Sequence, residues 1–230
     1  MCTVSVVPTA RGFRLACNRD ERRTRPRALA PRIHRNAGRR AWWPCDPQSG
    51  GTWIGVNDNG LAMALLNRAA GPAVAPRPST LSRGVLIPQL LGASHLDEAI
   101  TRAWTQLQPR DGSDQFEAFT LLMIERRRTA IVEHRSGMTA IAQHPLDQPL
   151  MFTSSSLGDA VVDPPRRRLL TQLLQSRRDP LDAQARFHRH RWPNRPQVSV
   201  RMSRADAATV SHTVIDVSPA AVAVRYMPTI

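Results

Sequence analysis

The second residue of the chain is a cysteine, and its position gives it a chemistry that the other cysteines lack. Removal of Met1, which a small second residue favours, would leave Cys2 with a free α-amine. Such an amine has a pKa of about 7.7–8.0, and an ordinary thiol has a pKa of about 8.5. Because both groups then belong to one residue, the amine can act as the general base for the thiol without a histidine. Cys2 is therefore predicted to be an N-terminal nucleophile.

The remaining cysteines and the histidines predict no metal centre. The chain has 3 cysteines, an odd count without a C-x-x-C pair, which argues against a disulfide framework and against a zinc site. Cys17 and Cys45 are predicted to be small buried hydrophobes. His188 and His190 are spaced for one face of a strand, but they lie where a helix is expected to pass into a loop.

Length and composition predict one domain over residues 1–230. A chain of 230 residues that is 41% hydrophobic and 22% charged can bury a sizeable core. It contains no apolar run of the roughly 18 residues that cross a bilayer, and its start has no charged segment ahead of an apolar one. A cytoplasmic protein without a membrane span is expected.

The net charge of +14 comes entirely from arginine, since the sequence contains no lysine. The arginines are dispersed along the chain, whereas nucleic-acid binders concentrate charge on one face and interleave aromatic residues. Only the segment 187–192 has that character. No specific nucleic-acid partner is therefore expected, and a small-molecule substrate or ligand is preferred. The sequence leaves the oligomeric state open.

The elements that must position Cys2 follow from alternation, helical periodicity and turn residues. Strands are predicted at 3–7, 13–17, 52–56, 61–66, 119–124, 130–134, 198–202, 209–217 and 221–226, and helices at 82–91, 96–107, 164–174 and 180–187. Loops are predicted at about 22–50, which is rich in proline and arginine, and at 71–80. This order is α+β, and it would fit two packed antiparallel sheets with helices outside.

Short motifs follow one another in order over residues 2–67. They are Cys2-Thr3, Asn18-Arg19-Asp20-Glu21, Arg25-Pro26, Asp46, Gly50-Gly51-Thr52-Trp53 and Asn57 to Asn67. Together they closely resemble the NRDE family, named for the tetrapeptide, which includes the transport and Golgi organisation group. The cysteine, the Asn-x-Asp and the Asn-x-x-Gly-Leu stretch ending in Leu-Asn also resemble the N-terminal-nucleophile (Ntn) cysteine hydrolases, among them the penicillin V acylases.

The resemblance implies a four-layer αββα sandwich and cleavage of a non-peptide C–N amide bond. It assigns Cys2 as the nucleophile, Asp20 as its orienting carboxylate and Asn67 as an oxyanion-hole donor. These assignments are chemically sound, because a carboxylate can hold the ammonium form of the α-amine. A donor such as Asn67 contributes about 2.7–4 kcal/mol to the transition state in other enzymes.

Further residues of the motifs are candidates for supporting roles. Arg19 and Glu21 alternate with Asn18 and Asp20 along an extended chain, so they are expected on the opposite face, where a structural ion pair is one outcome and a supporting role another. Trp53 is expected in the core or in a substrate-binding wall.

The sequence departs from the hydrolase pattern in three segments. Cys17 stands where the hydrolases have an arginine, and Val210 replaces a second arginine. Ser154 and Ser155 stand in the segment where the hydrolases supply an asparagine.

Two functions therefore remain open. The first is an Ntn cysteine amidase or acylase that acts through Cys2 and needs no cofactor. The second is a non-catalytic binding module on the same scaffold, for haem or for an acyl-type lipid, as the resemblance to the eukaryotic members implies. Loss of Met1 favours the first, because the proposed base exists only when Met1 is absent.

Overall fold

The computed structural model describes residues 2–68, 81–109 and 114–229, and antiparallel strands are the most abundant secondary structure in them. The strands are β1 (Cys2–Thr9), β2 (Gly12–Arg22), β3 (Leu29–Asn36), β4 (Arg39–Cys45), β5 (Ile54–Asn57), β6 (Ala62–Asn67), β7 (Phe119–Glu125), β8 (Arg128–Arg135), β9 (Met138–Pro145), β10 (Leu150–Ser154), β11 (Ala207–Val217) and β12 (Val222–Pro228). The helices are α1 (Leu86–Leu90), preceded by a 3₁₀ turn at Arg83–Val85, α2 (Leu96–Gln106), α3 (Asp159–Ser176) and α4 (Pro180–Arg189).

The strands form two antiparallel sheets. The first has five strands in the order β10-β1-β2-β11-β12, and the second has seven in the order β3-β4-β5-β6-β7-β8-β9. The first sheet therefore places β1, which carries Cys2, between two neighbours. A central strand has every backbone group paired along its ladder, so it holds its side chains in fixed positions.

The two sheets pack face to face and the helices cover their outer faces. Alternate residues of the inner strands, such as Val4, Leu15 and Ile54, fill the space between the sheets. Helices α1 and α2 pack on the outer face of the seven-stranded sheet. Helices α3 and α4 cover the five-stranded sheet through Leu170 and Phe187. The four-layer αββα arrangement implied by the resemblance is confirmed.

Local signals located most of the elements correctly. The predicted hairpin of residues 3–7 and 13–17 forms as β1 and β2, and the Asn-Gly turn joins β5 to β6. Gly60 in that turn has φ +81°, and a Cβ there would lie 2.7 Å from Cγ1 of Val217. The predicted loop at 71–80 lies outside the described residues. No helix within the described ranges is long and apolar enough to cross a membrane.

The prediction of a loop over 22–50 is wrong, because β3 and β4 occupy most of it. Strand β3 is the edge of its sheet, and most of its side chains are exposed or half-buried. An edge strand tolerates proline and arginine, so its sequence lacks the alternation of a buried strand.

The predicted strand at 198–202 is also wrong. Its carbonyls at Val198, Ser199 and Val200 accept hydrogen bonds from the side chains of Arg166 and Asn18 rather than from a neighbouring strand. Helix α3 begins at Asp159, whose carboxylate accepts a hydrogen bond from Ser155 N at 2.9 Å. It therefore starts before the two prolines that were expected to open it.

Candidate active site

Cys2 lies at the start of the central strand β1, with partners on both sides. It pairs with Arg19 of β2 and with Ser154 of β10, and its side chain is 5% exposed between the sheets. The Cys2 backbone nitrogen donates a hydrogen bond to Ser154 Oγ at 3.1 Å. Ser154 therefore fixes the nitrogen that would become the α-amine, while the two ladders fix the thiol.

The thiol of Cys2 contacts the thiol of Cys17. Cys17 pairs with Val4, two residues along β1 from Cys2, so both cysteines point to the same face of the sheet. The hydrogen bond from Cys17 lowers the pKa of Cys2, and the positive charge of Arg19 acts in the same direction against the effect of burial. Burial raises the pKa of Cys17 well above its ordinary value. Cys17, expected only to fill the core, thus lies where its thiol lowers the pKa of Cys2.

Replacement of Cys17 by Ala is expected to raise the pKa of Cys2, because the thiolate loses its hydrogen-bond donor. Less thiolate is then present at neutral pH, so the pH profile of Cys2 alkylation should move to higher pH. The rate of iodoacetamide reaction, followed by peptide mass spectrometry between pH 5 and 9, measures the shift. Replacement of Cys45 by Ala, a half-buried cysteine outside this pair, is the control and should leave the profile in place. An unchanged profile in the Cys17→Ala protein would contradict this role.

A cleft of about 510 Å³ opens beside Cys2. Its wall includes five of the residues singled out from the sequence, namely Cys2, Arg19, Glu21, Trp53 and Asn67. We call it the Cys2 cleft. Gly51 and Gly84 meet at its rim, where a Cβ on Gly51 would lie 2.5 Å from the Gly84 carbonyl carbon. The close approach of these two backbones requires glycine and holds the rim in place.

Arg19 is held rigidly in the Cys2 cleft by a network of charges. Its guanidinium donates to Asp46 Oδ2 at 2.5 Å and lies 4.3 Å from the centre of the Trp53 ring. Arg25 donates to the same oxygen at 2.8 Å, and Glu21 lies 3.4 Å from Arg19. Burial raises the pKa of Asp46, but these cations outweigh it and the pKa lies below its usual value. The ion pair between Arg19 and Glu21 is therefore part of a larger cluster centred on Asp46.

Asp20 lies on the other face of the sheet from the Cys2 side chain. It is 2% exposed and accepts a hydrogen bond from Thr209 Oγ1 at 2.6 Å. Burial raises its pKa, although the charge of Arg166 and the bond from Thr209 lower it in part. Arg19 is the cross-strand partner of Cys2, and the two strands are antiparallel. Asp20, which follows Arg19, therefore lies on the amino-terminal side of Cys2. A carboxylate there can orient an α-amine but cannot reach across the sheet to the thiol.

Asn67 and Trp53 bring hydrogen-bond donors into the Cys2 cleft. Asn67 ends β6 of the opposite sheet, and its exposed side chain makes no hydrogen bond to a described residue. The Trp53 ring is 6% exposed, yet its Nε1 is buried without a partner in the described part of the chain. The hydroxyls of Ser211 and Thr213, which pair with Arg19 and Cys17, are also buried without a described partner. Sequence reasoning singled out Trp53 but missed the hydroxyls of Ser211 and Thr213, because nothing local marks them.

Ser155 and Asn18 lie away from the thiol. Ser155 Oγ accepts a hydrogen bond from Leu157 N at 3.2 Å and so shapes the turn before α3. Asn18 faces α4, where its amide nitrogen donates to the carbonyls of His188 and Val200 at 2.8 and 3.0 Å. Neither contributes an atom to the Cys2 cleft.

The described residues contain no group of three or more His, Cys, Asp or Glu side chains that could hold a metal ion. Among the described residues, the lining of the Cys2 cleft includes no histidine, methionine or tyrosine, so Cys2 is the one side chain there of a type that ligates haem iron.

The sequence profile of the family described as Transport and Golgi organisation 2 matches residues 1–220. A search of curated proteins finds no match.

Solved structures share the fold. An N-acylethanolamine-hydrolyzing acid amidase orthologue from Caenorhabditis elegans superposes with a TM-score of 0.64 at 16% identity, covering 93% of this chain and 92% of that one. Penicillin V acylase from Agrobacterium tumefaciens gives 0.58 at 15%, with 100% and 86% covered. The C2A mutant of the conjugated bile acid hydrolase from Clostridium perfringens gives 0.51 at 9%, with 100% and 92% covered. At these identities the likeness shows a common Ntn-hydrolase fold.

Proposed function

Because the chain belongs to the Transport and Golgi organisation 2 family and has the Ntn-hydrolase fold, we propose that it is a cysteine hydrolase of small acylated amides. The observation that carries the proposal is the pair of thiols at the Cys2 cleft. Cys2 lies in the wall of an open cleft, and Cys17 lowers its pKa. A low pKa in an accessible cleft is the property that distinguishes a reactive cysteine from a structural one.

The proposed reaction begins when Met1 has been removed. The α-amine of Cys2 takes the thiol proton, and the sulfur attacks the carbonyl carbon of the amide. Ser154 Oγ, which now accepts from this nitrogen, and Asp20, on its amino-terminal side, hold the amine in place. The negative charge that develops on the carbonyl oxygen needs donors fixed in advance. Asn67 and Trp53 line the cleft, and their side-chain donors have no hydrogen-bond partner among the described residues, so they are assigned this role.

The tetrahedral intermediate then expels the leaving amine, which takes the proton held by the Cys2 ammonium. A thioester between the acyl group and Cys2 remains. Water, deprotonated by the same α-amine, attacks the thioester, releases the carboxylic acid and restores the thiol. The step requires no metal and no histidine, since one residue supplies both the nucleophile and the base.

Arg19 is assigned a supporting role in this scheme. Its charge lowers the pKa of Cys2, and its anchoring to Asp46 keeps it from moving onto the substrate. It takes the place of the arginine that the hydrolase pattern has at the position of Cys17. Arg19 lies two residues after Cys17 on the same face of β2, so a positive charge is kept close to that position.

Trapping of the acyl thioester on Cys2 tests the proposal. The protein is mixed with penicillin V, an N-acylethanolamine or a conjugated bile acid, quenched in acid and weighed intact. We expect a mass that lacks Met1 and carries one acyl group, and peptide mapping should place the acyl group on Cys2. Protein expressed so that Met1 is retained is the matched control, and it should remain unacylated because its Cys2 has no free amine.

Two results would overturn the proposal. One is substrate turnover by the Met1-retaining protein at the same rate, which would rule out the α-amine as base. The other is saturable binding of an acyl compound or of haem without any acylation or hydrolysis. That second result would favour the non-catalytic binding module.

A further inference from the structure

A second cavity lies on the opposite face of the five-stranded sheet, between α4 and strands β2, β11 and β12. Its volume is about 330 Å³, near the lower limit of small-molecule pockets. We call it the α4 pocket. It shares no lining residue with the Cys2 cleft. Its apolar surface comes from Ala16, Ala185, Val214 and Met227.

The polar floor of the α4 pocket is a hydrogen-bond network with its proton positions fixed. Asn18 donates through its nitrogen to two backbone carbonyls, so its Oδ1 must accept. Nδ1 of His188 and Nδ1 of His212 lie 3.0 and 2.7 Å from that oxygen, and both must donate to it. Gln184 donates to Ser5 Oγ at 2.9 Å, so the serine hydroxyl donates in turn to His188 Nε2 at 2.7 Å.

Both imidazoles in this network are neutral at physiological pH. Burial lowers the pKa of His188 well below its usual value. Burial also lowers the pKa of His212 to about 4, although a hydrogen bond to the Cys17 backbone opposes it. The histidines therefore contribute no positive charge to the pocket, and its charge comes from arginine alone.

Four arginines line the α4 pocket and no acidic residue does. Asp216, outside the lining, lies 2.6 Å from both Arg14 and Arg225 and bridges this pair with one negative charge. Arg189 and Arg201 have no ion pair or hydrogen bond from their guanidinium groups to a described residue. The pocket thus holds two cations without counter-charge, next to an apolar wall.

Two buried polar atoms at the pocket also lack partners in the described part of the chain. Gln184 is 1% exposed, and its nitrogen is fixed as a donor by the Ser5 carbonyl, so its free atom Oε1 is an acceptor. Nε of Arg201 is buried and free, and it is a donor. Buried polar atoms in native proteins are nearly always paired, so the site is incomplete without an occupant.

We propose that the α4 pocket binds a small organic anion, with a carboxylate or phosphate that faces Arg189 and Arg201, a short apolar body against Ala185, Val214 and Met227, and an N–H or O–H group that donates to Gln184. The anion satisfies the uncompensated charges and the free Arg201 Nε. The donor satisfies Gln184 Oε1. The small volume restricts the apolar body to a short chain or a single ring.

Isothermal titration of the Cys2→Ala protein tests this inference, because that variant cannot hydrolyse the ligand. The probes are hexanoylglycine, which has a carboxylate, an amide N–H and a short apolar chain, its neutral primary amide, and hexyl phosphate. Hexanoylglycine should bind at least ten times more tightly than the neutral amide, and its affinity should fall as salt is added. The ratio between hexanoylglycine and hexyl phosphate then shows whether a carboxylate or a phosphate is preferred.

Variants on the same background locate the binding. Replacing both Arg189 and Arg201 by Gln should weaken hexanoylglycine at least tenfold, and Ala185→Phe, which fills the pocket, should abolish binding. Arg189 is exposed, so its single Gln variant provides a second measurement that folding problems do not affect. Arg178→Gln, at an exposed position outside the pocket, and Arg22→Gln, in the Cys2 cleft, are the matched controls and should bind normally.

Three outcomes would overturn the inference. Equal binding of the acid and the neutral amide would remove the role of charge. Retained binding in Ala185→Phe, or loss of binding in Arg22→Gln, would place the ligand outside the α4 pocket. Absence of binding by both anions would show that the free polar atoms are not a ligand site. None of these results depends on whether Cys2 is catalytic.

Discussion

Replacement of Cys2 by Ala is expected to lower kcat for amide hydrolysis by at least ~1,000-fold, because the variant has lost the atom that forms the thioester. The α-amine and the Asn67 donor remain, so weak binding of substrate should survive. Release of the amine product from penicillin V or from an N-acylethanolamine, followed over hours, measures the loss. The same preparations should bind substrate with a Kd within a few-fold of the KM of the parent.

The free energy of unfolding of the Cys2→Ala protein shows whether activity is lost with the nucleophile or with the fold. The Cys2 side chain is buried but small, so its truncation should cost about 1 kcal/mol of the free energy of unfolding. Cys45→Ala is the matched control, since it removes a thiol from the same type of residue outside the Cys2 cleft and should retain full activity. Hydrolysis that persists in purified Cys2→Ala protein would exclude Cys2 as the nucleophile.

The position of Cys2 within the fold could be predicted because its signals are local. The turn around Pro8 to Gly12 sets the hairpin register, and the alternation of β1 and β2 decides which side chains share a face. The same register places Cys17 beside Cys2, so this contact was within reach of the sequence. It was missed because a buried cysteine is usually only a hydrophobe, and the type of residue was given more weight than the register.

Other features of the site could not be predicted, since they depend on contacts between distant parts of the chain. Asp46 meets Arg19 across 27 residues, and Thr209 meets Asp20 across 189. The placement of these partners follows from the order of strands in the sheets, which the pattern of hydrophobic residues does not specify. The edge strand β3 was missed for a related reason, because its solvent-exposed arginines hide the alternation on which a strand prediction depends.

The buried arginine of α3 illustrates the same limit with a larger energetic consequence. Arg166 is 1% exposed and donates to Thr3 Oγ1 at 2.8 Å and to the carbonyls of Val198 and Ser199 at 3.1 and 2.8 Å. It lies in a run of three arginines, a pattern that is typical of a solvent-exposed helix face. In the folded chain one of the three ties α3 to β1 and to the segment that replaces the expected strand.

Replacement of Arg166 by Met should lower the free energy of unfolding by about 3–5 kcal/mol, as expected when one partner is removed from a buried set of charges. Two carbonyls lose their donors, and the buried carboxylate of Asp20 loses the cation that stabilises it. Urea unfolding followed by circular dichroism measures the change. Arg167→Met is the matched control, because that neighbour is exposed, its ion pair with Asp163 lies at the surface and its bond to the Met151 carbonyl is long at 3.4 Å. It should cost under about 1 kcal/mol.

The dependence of this loss on pH identifies its electrostatic part. The pKa of Asp20 is higher in the folded chain than in the unfolded chain, and the loss of Arg166 raises it further. Between the two pKa values the folded chain binds more protons than the unfolded chain, so its stability falls as the pH rises through that window. The destabilisation by Arg166→Met should therefore be larger at pH 7.5 than at pH 4.5. Adding Asp20→Asn, whose side chain cannot ionise, should remove the difference in destabilisation between the two pH values. If Arg166→Met alone costs the same free energy of unfolding at both pH values, the hydrogen bonds to Thr3, Val198 and Ser199 account for the whole loss.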